Sequence, residues 1–236
     1  QKVHISSAIA SGYKYMLIVT SDEAKARKMC DDASFFNREA IYYPAKDAIF
    51  YSADVHGNQI TGERLRCISR IINHSCTGEG VLTVVTTMDG IADRLIPVER
   101  FKEAVITLDY SSEIDTERLA KKLVSMGFVR TGMVENKGEF AIRGGIIDIF
   151  SYTDEAPVRI ELWDTEVDSI RMFDVESQRS IERLQSYSIF PATEYIFTED
   201  ELKNGLYNIK EECDRQLECF DYGKRKRTKE QIEAGN

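Results

Sequence analysis

The sequence predicts an α/β protein in which a parallel sheet flanked by helices is interrupted by an antiparallel α+β domain. Three observations predict it. Helical and strand-like runs alternate over residues 1–100. The strands there are short and almost continuously apolar, as strands covered on both faces are. Beyond Pro97 a single helix is followed by successive strand-like runs at hairpin spacing, the pattern of an α+β domain. At 236 residues the chain is ample for two domains, each with its own core.

Taken in order, VHISSAIASG has helical spacing and ends at Gly12, YMLIVT is a short buried strand, and SDEAKARKMCDDA opens on a Ser-Asp cap and runs helically. EAIYYP is a second strand stopped by Pro44. After the loop from Pro44 to Asn58, QITGERLRCISRIINH is helical and GVLTVVT is a third strand. This is half of a nucleotide-binding type of α/β domain, assigned to residues 1–100. In residues 101–187, AVITLDY reads as a strand. SSEIDTERLAKKLVSMG is a helix capped near Asp115 and closed by Gly127. FVRTGMVEN, EFAIR, IIDIF, VRIELW and EVDSIRMFD then read as five strands. From Ser188, SIFPATEYIF and the long helix TEDELKNGLYNIKEECDRQLECF are expected to return the chain, over residues 188–236, to the first domain.

Composition sets the class. With 42% hydrophobic and 30% charged residues the chain is an ordinary globular protein. No apolar run approaches the roughly 18 residues of a membrane span, so a cytoplasmic, monomeric fragment is expected. Five widely spaced cysteines (Cys30, Cys67, Cys76, Cys213, Cys219) contain no CxxC pair, which argues for reduced thiols. The net charge of −9 is uneven: Lys+Arg against Asp+Glu is 12 to 12 over residues 1–100, 11 to 17 over 101–187 and 8 to 11 over 188–236. An acidic middle region is a poor surface for direct duplex binding and suits a basic protein partner, or serves solubility alone.

Catalytic signatures are missing. The sequence holds no GxxxxGK[ST] loop, GxGxxG, HExxH or GxSxG, and no cofactor or metal site is expected. His4, His56 and His74 are far apart. His56 shares a loop with Asp47 and Asp54, read as a solvated loop rather than a metal site, and the run Lys224-Arg225-Lys226-Arg227 reads as a solvated helix-end cluster rather than a nucleic-acid contact.

One surface stands out. Successive side chains of a strand point to opposite faces, so Val158, Ile160 and Leu162, with Ile147 and Ile149, define a core face. The opposite face collects Arg143, Asp148, Arg159, Glu161 and Trp163, with Ile146 and Phe150 also outward. Arginine and tryptophan on a charged, open face have the composition of an interface hot spot. The alternative is that Trp163 covers a neighbouring strand while the arginines pair with local acids.

GEFAIRGGIIDIF (138–150), VRIELWDTEVDSIRMFDVESQRS (158–180) and YPAKDAIFYSADVHGNQITGERL (43–65) closely resemble the N-terminal region of bacterial transcription-repair coupling factors, itself similar to the excinuclease protein UvrB. The resemblance covers nearly the whole chain. It implies a degenerate RecA-like, P-loop NTPase-like domain interrupted by an inserted domain that binds the excinuclease protein UvrA, with Arg143, Arg159 and Trp163 at the matching contact positions. It implies further that the parent carries ATP and Mg in translocase domains beyond this chain and acts on RNA polymerase and duplex DNA. An ATPase or DNA-clamping fragment of UvrB is the alternative, with Lys2 as the remnant of a phosphate loop. Against it, the fifteen residues 44–58, whose only aromatics are Phe50 and Tyr51, are too short for that relative's aromatic hairpin, and Gln1-Lys2-Val3 stands where a Lys-Ser/Thr pair is expected.

Overall fold

The computed structural model describes residues 8–10, 12–36, 39–46, 55–78 and 80–217, divided into two units between Ile196 and Phe197. The expected helix over residues 3–12 lies largely outside the described residues. The loop with Asp47 and Asp54 and the basic run at 224–227 lie outside them as well, as do Lys2 and Cys219. Among the described residues no helix is long and apolar enough to cross a membrane.

Strands β1 (Tyr15–Thr20), β2 (Ala40–Tyr43) and β3 (Leu82–Thr87) form a parallel sheet in the order β1-β3-β2. Parallel neighbours require long crossovers, supplied here by α1 (Glu23–Phe36) and α2 (Val55–Thr77). α1 turns Ala26 and Ala33 inward. α2 is apolar on two sides: Cys67 and Ile68 pack on Ile41, Tyr43 and Leu82, while Leu65 and Ile72 meet Phe101 and Phe190. From its sequence β1 is expected to be covered on both faces. Instead its burial alternates, with Tyr15, Leu17 and Val19 at 41%, 59% and 39% exposure. β1 is an edge strand, and the core beneath α2 is built on β2 and β3 without it. Two short helices not expected from the sequence follow β3. In α3 (Met88–Ala92) the Thr87 hydroxyl accepts from the Gly90 N–H at 3.1 Å, and α4 (Val98–Ala104) starts after Pro97.

The second sheet has six strands in the order β10-β9-β8-β7-β6-β5: β5 (Val129–Arg130), β6 (Glu139–Arg143), β7 (Ile146–Phe150), β8 (Val158–Trp163), β9 (Glu166–Phe173) and β10 (Ser180–Arg183). Helix α5 (Thr116–Ser125) covers its inner face. Asp115 caps α5 by accepting from the N–H groups of Glu117 and Arg118, and Gly127 at φ +88° ends that turn of chain. Leu123, Met126, Phe140, Ile147, Ile149, Ile160 and Ile170 form the core between helix and sheet. Two strands differ from expectation. β5 is reduced to two residues and runs parallel to β6, and β10 pairs with β9 where no strand was expected. β4 (Ile106–Asp109) pairs antiparallel with β11 (Ser186–Ile189). β11 straddles the expected division of the chain at 187/188, because Tyr187, Ile189 and Ala192 pack into this second core.

The two sheets meet through α2. The Tyr152 ring lies against Gly62 of α2 and Gly138 of the turn before β6, so close that a Cβ at either glycine would stand 2.9 Å from it. Beside it the buried Arg64 guanidinium donates to the Glu194 carboxylate at 2.5 and 3.0 Å and to the Pro44 carbonyl at 2.7 Å. In the second unit, α6 (Glu199–Leu217) is the expected long helix, with Leu202, Leu206 and Ile209 exposed along one side.

Candidate partner-binding face

A two-residue turn, Gly144-Gly145, joins β6 to β7 and pairs Arg143 with Ile146. Gly144 has φ +61°, the glycine-first arrangement of a type II′ hairpin, whose twist matches the flanking strands. That turn fixes the register, and the register fixes the face. Ala141, Asp148, Arg159 and Arg171 become lateral neighbours across β6, β7, β8 and β9. Ile147, Ile149 and Ile160 point the other way and are fully buried.

The structure brings Arg143, Asp148 and Arg159 together. The Asp148 carboxylate accepts from Arg143 Nη2 at 2.6 Å and from Arg159 Nε and Nη2 at 2.7 and 2.9 Å. Arg159 Nη2 also donates to Gln178 Oε1 at 2.8 Å, and its guanidinium lies 4.3 Å from the centre of the Phe173 ring. The bonds to Asp148 hold the Arg159 pKa above its ordinary value. Glu161 accepts from the Ser169 hydroxyl at 2.9 Å and pairs with Arg171. Trp163 stands apart at the turn into β9, opposite Glu166 and 79% exposed.

Exposure sorts these residues more finely than alternation does. Asp148, expected to face solvent, is 1% exposed and Phe150, also expected outward, is 8% exposed. The direction in which each points follows the alternation, but that end of the face is covered: Val134 and Val175 pack on Ala141 and Phe150. The Arg159 side chain is 14% exposed and that of Arg143 44%. The arginines pair with a local acid, while Trp163 leaves most of its surface exposed. The face therefore has a buried ionic strut, Asp148 with Arg159, beneath two accessible groups, the Arg143 guanidinium and the Trp163 indole. Those groups suit a protein surface carrying carboxylates and an apolar contact.

Sequence reasoning missed Gln178 and Phe173, which hold Arg159 from the far strand and turn. Gln178 adopts φ +57° after the Asp174 turn, in which Ser177 N–H donates to Asp174 Oδ1 at 2.8 Å. That left-handed turn gives no apolar periodicity to read. Among the described residues no group of His, Cys, Asp and Glu is arranged to hold a metal ion.

Residues 106–195 match the model of the UvrB interaction domain. The chain is also similar to the transcription-repair-coupling factor of Bacillus subtilis (strain 168), 39% identical over 198 residues, which is 83% of this chain and 16% of the relative. The corresponding protein of Staphylococcus aureus (strain Mu50 / ATCC 700699) is 35% identical over 222 residues, 90% of this chain and 18% of the relative. That of Staphylococcus haemolyticus (strain JCSC1435) is 34% identical over 223 residues, 94% and 19%. The chain spans less than a fifth of the length of these curated relatives.

Proposed function

Because the chain belongs to the transcription-repair-coupling factor family, we propose that it is a non-catalytic recruiting module which binds the excinuclease protein UvrA and so brings nucleotide excision repair to stalled RNA polymerase. The observation that carries this reading is the match of residues 106–195 to an interaction domain, combined with an exposed tryptophan and a half-exposed arginine on the outer face of that domain's sheet. Arg143 and Trp163 make the contacts in this reading. Asp148 and Arg159 support them, and Glu161 with Arg171 borders them.

In the same reading the β1-β3-β2 sheet is part of a degenerate RecA-like domain into which the second sheet is inserted. This chain binds no nucleotide, since phosphate binding needs consecutive backbone N–H groups and a lysine from a glycine-rich loop, and its sequence holds no such loop. ATP- and Mg-dependent translocation on duplex DNA belongs to the remainder of the full-length protein, and recruitment takes place in the cytoplasm. A pull-down of purified UvrA by the immobilised chain tests the reading. Capture is expected for the folded wild type, and its absence would overturn the proposal.

A further inference from the structure

Arg64, on α2, is a fully buried cation. Three contacts tie it to the first sheet. Nη1 donates to the Pro44 carbonyl at the end of β2 at 2.7 Å and stands 3.4 Å from the Asp93 carboxylate just beyond α3, and the guanidinium lies 4.3 Å from the centre of the Tyr43 ring. Its other partner comes from the second sheet. Nε and Nη2 donate to the two oxygens of Glu194, which is buried as well. Glu194 is anchored to that sheet two residues earlier, where the Ala192 N–H donates to the Met126 carbonyl at 2.8 Å and the Ala192 side chain joins the second core.

Beside this pair lies an apolar cluster in which Leu65 and Ile72 of α2 meet Phe101 and Phe190, with Tyr152 at its flank. Apolar attraction has no preferred direction, whereas a bidentate arginine–carboxylate pair has one geometry. The pair also carries a penalty that apolar contacts lack. With one charge removed the other stays buried while the sheets are together, and it regains water when they part. Asp93, and Lys46 at 3.1 Å from Glu194, are both about a third exposed and offset that penalty only in part. Each sheet keeps its own core, around Ile41, Cys67 and Leu82 in one and Leu123, Phe140 and Ile160 in the other. Parting therefore requires neither to unfold.

We propose that the Arg64–Glu194 pair is a clasp, which holds the two sheets in one docked arrangement and whose loss releases them as two folded bodies. The clasp is independent of the partner assigned to the outer face. Helix α2 supplies the reporters, because buried Leu65 belongs to the cluster between the sheets and buried Cys67 to the first core. Iodoacetamide labelling of the full chain carrying Leu65→Cys, read residue by residue by mass spectrometry, follows both thiols. Adding Glu194→Gln or Arg64→Gln should speed labelling at position 65 at least about thirtyfold, somewhat below the factor for a wholly uncompensated buried charge. Cys67 should keep the rate it has without the added substitution. Lys46→Gln should change neither rate by more than about fivefold, since its charge is partly hydrated. Phe190→Cys, from the other side of the same cluster, serves as the reporter where melts show Leu65→Cys to be poorly folded. Equal acceleration at both thiols would overturn the proposal, by showing that the pair only stabilises the chain as a whole. Unchanged labelling at position 65 would overturn it too, by showing that the apolar cluster alone sets the docking.

Discussion

Replacing Asp148 by Asn tests the ionic strut of the outer face. Asp148 is 1% exposed and accepts three charged hydrogen bonds from two arginines. Asn keeps the shape but removes the charge and turns amide hydrogens toward guanidinium donors. Breaking a buried pair by removing one partner costs about 3–5 kcal/mol, because the other charge stays buried and uncompensated. Arg159, with its side chain 14% exposed, is in that position. Arg143 is 44% exposed and solvent replaces its lost partner, so its share is under about 1 kcal/mol. The expected total is therefore set by Arg159, about 3–5 kcal/mol, or roughly 6 to 20 °C in Tm for a chain of this size. Circular-dichroism melts and urea titrations of wild type, Asp148→Asn and Arg143→Ala measure it. A paired replacement, Asp148→Leu with Arg159→Met, should recover most of the loss, since an apolar pair of similar volume avoids the desolvation cost. If Asp148→Asn unfolds within ~0.5 kcal/mol of wild type, the strut carries no stability and the division into support and contact residues fails.

Three further outcomes follow from the packing. Ile160→Ala should lose roughly 2–5 kcal/mol from the second core and Trp163→Ala no more than ~0.5 kcal/mol, measured by the same melts; equal losses would mean that the face is misassigned. Gly62→Ala should cost about 1–3 kcal/mol through its 2.9 Å approach to the Tyr152 ring, and adding Tyr152→Leu should shrink that difference. Burial pushes the Cys67 thiol up to about 12, so at pH 8 iodoacetamide should label exposed Cys76 and spare Cys67, as mass spectrometry will show. The unfolded chain loses that proton first, near pH 8.5. Cys67 should therefore contribute a fall in stability of about 1.4 kcal/mol per unit as pH climbs from there toward 12, a contribution read as the difference between wild type and Cys67→Ala, since the buried tyrosines Tyr43 and Tyr187, also raised, add their own in both.

Much of the fold could be read from periodicity, and what could not has identifiable causes. The core side of β7 and β8 followed from strict alternation at Ile147, Ile149 and Ile160, and the α5 cap from Asp115. The exposure of β1 did not, because YMLIVT is apolar at nearly every position and only its place at the edge of the sheet decides which side chains are covered. β10 escaped notice because Ser180–Arg183 is exposed throughout and its pairing with β9 is irregular, leaving no apolar pattern. At the candidate face the sequence showed which residues share a side of the sheet but not their depth. Asp148 is buried by groups distant in sequence, with Val134 and Val175 covering the neighbouring Ala141 and Phe150, and Gln178 holding Arg159 from beyond β9.

The most direct measurement is a calorimetric titration of purified UvrA with this chain and its Arg143→Ala and Trp163→Ala variants, alongside their melts. The account predicts saturable binding by the wild type, and a loss of about 2 kcal/mol, roughly thirtyfold in Kd, for at least the better buried of the two contacts, with both variants melting like wild type. No binding by the folded wild type, or wild-type affinity in both variants, would contradict it.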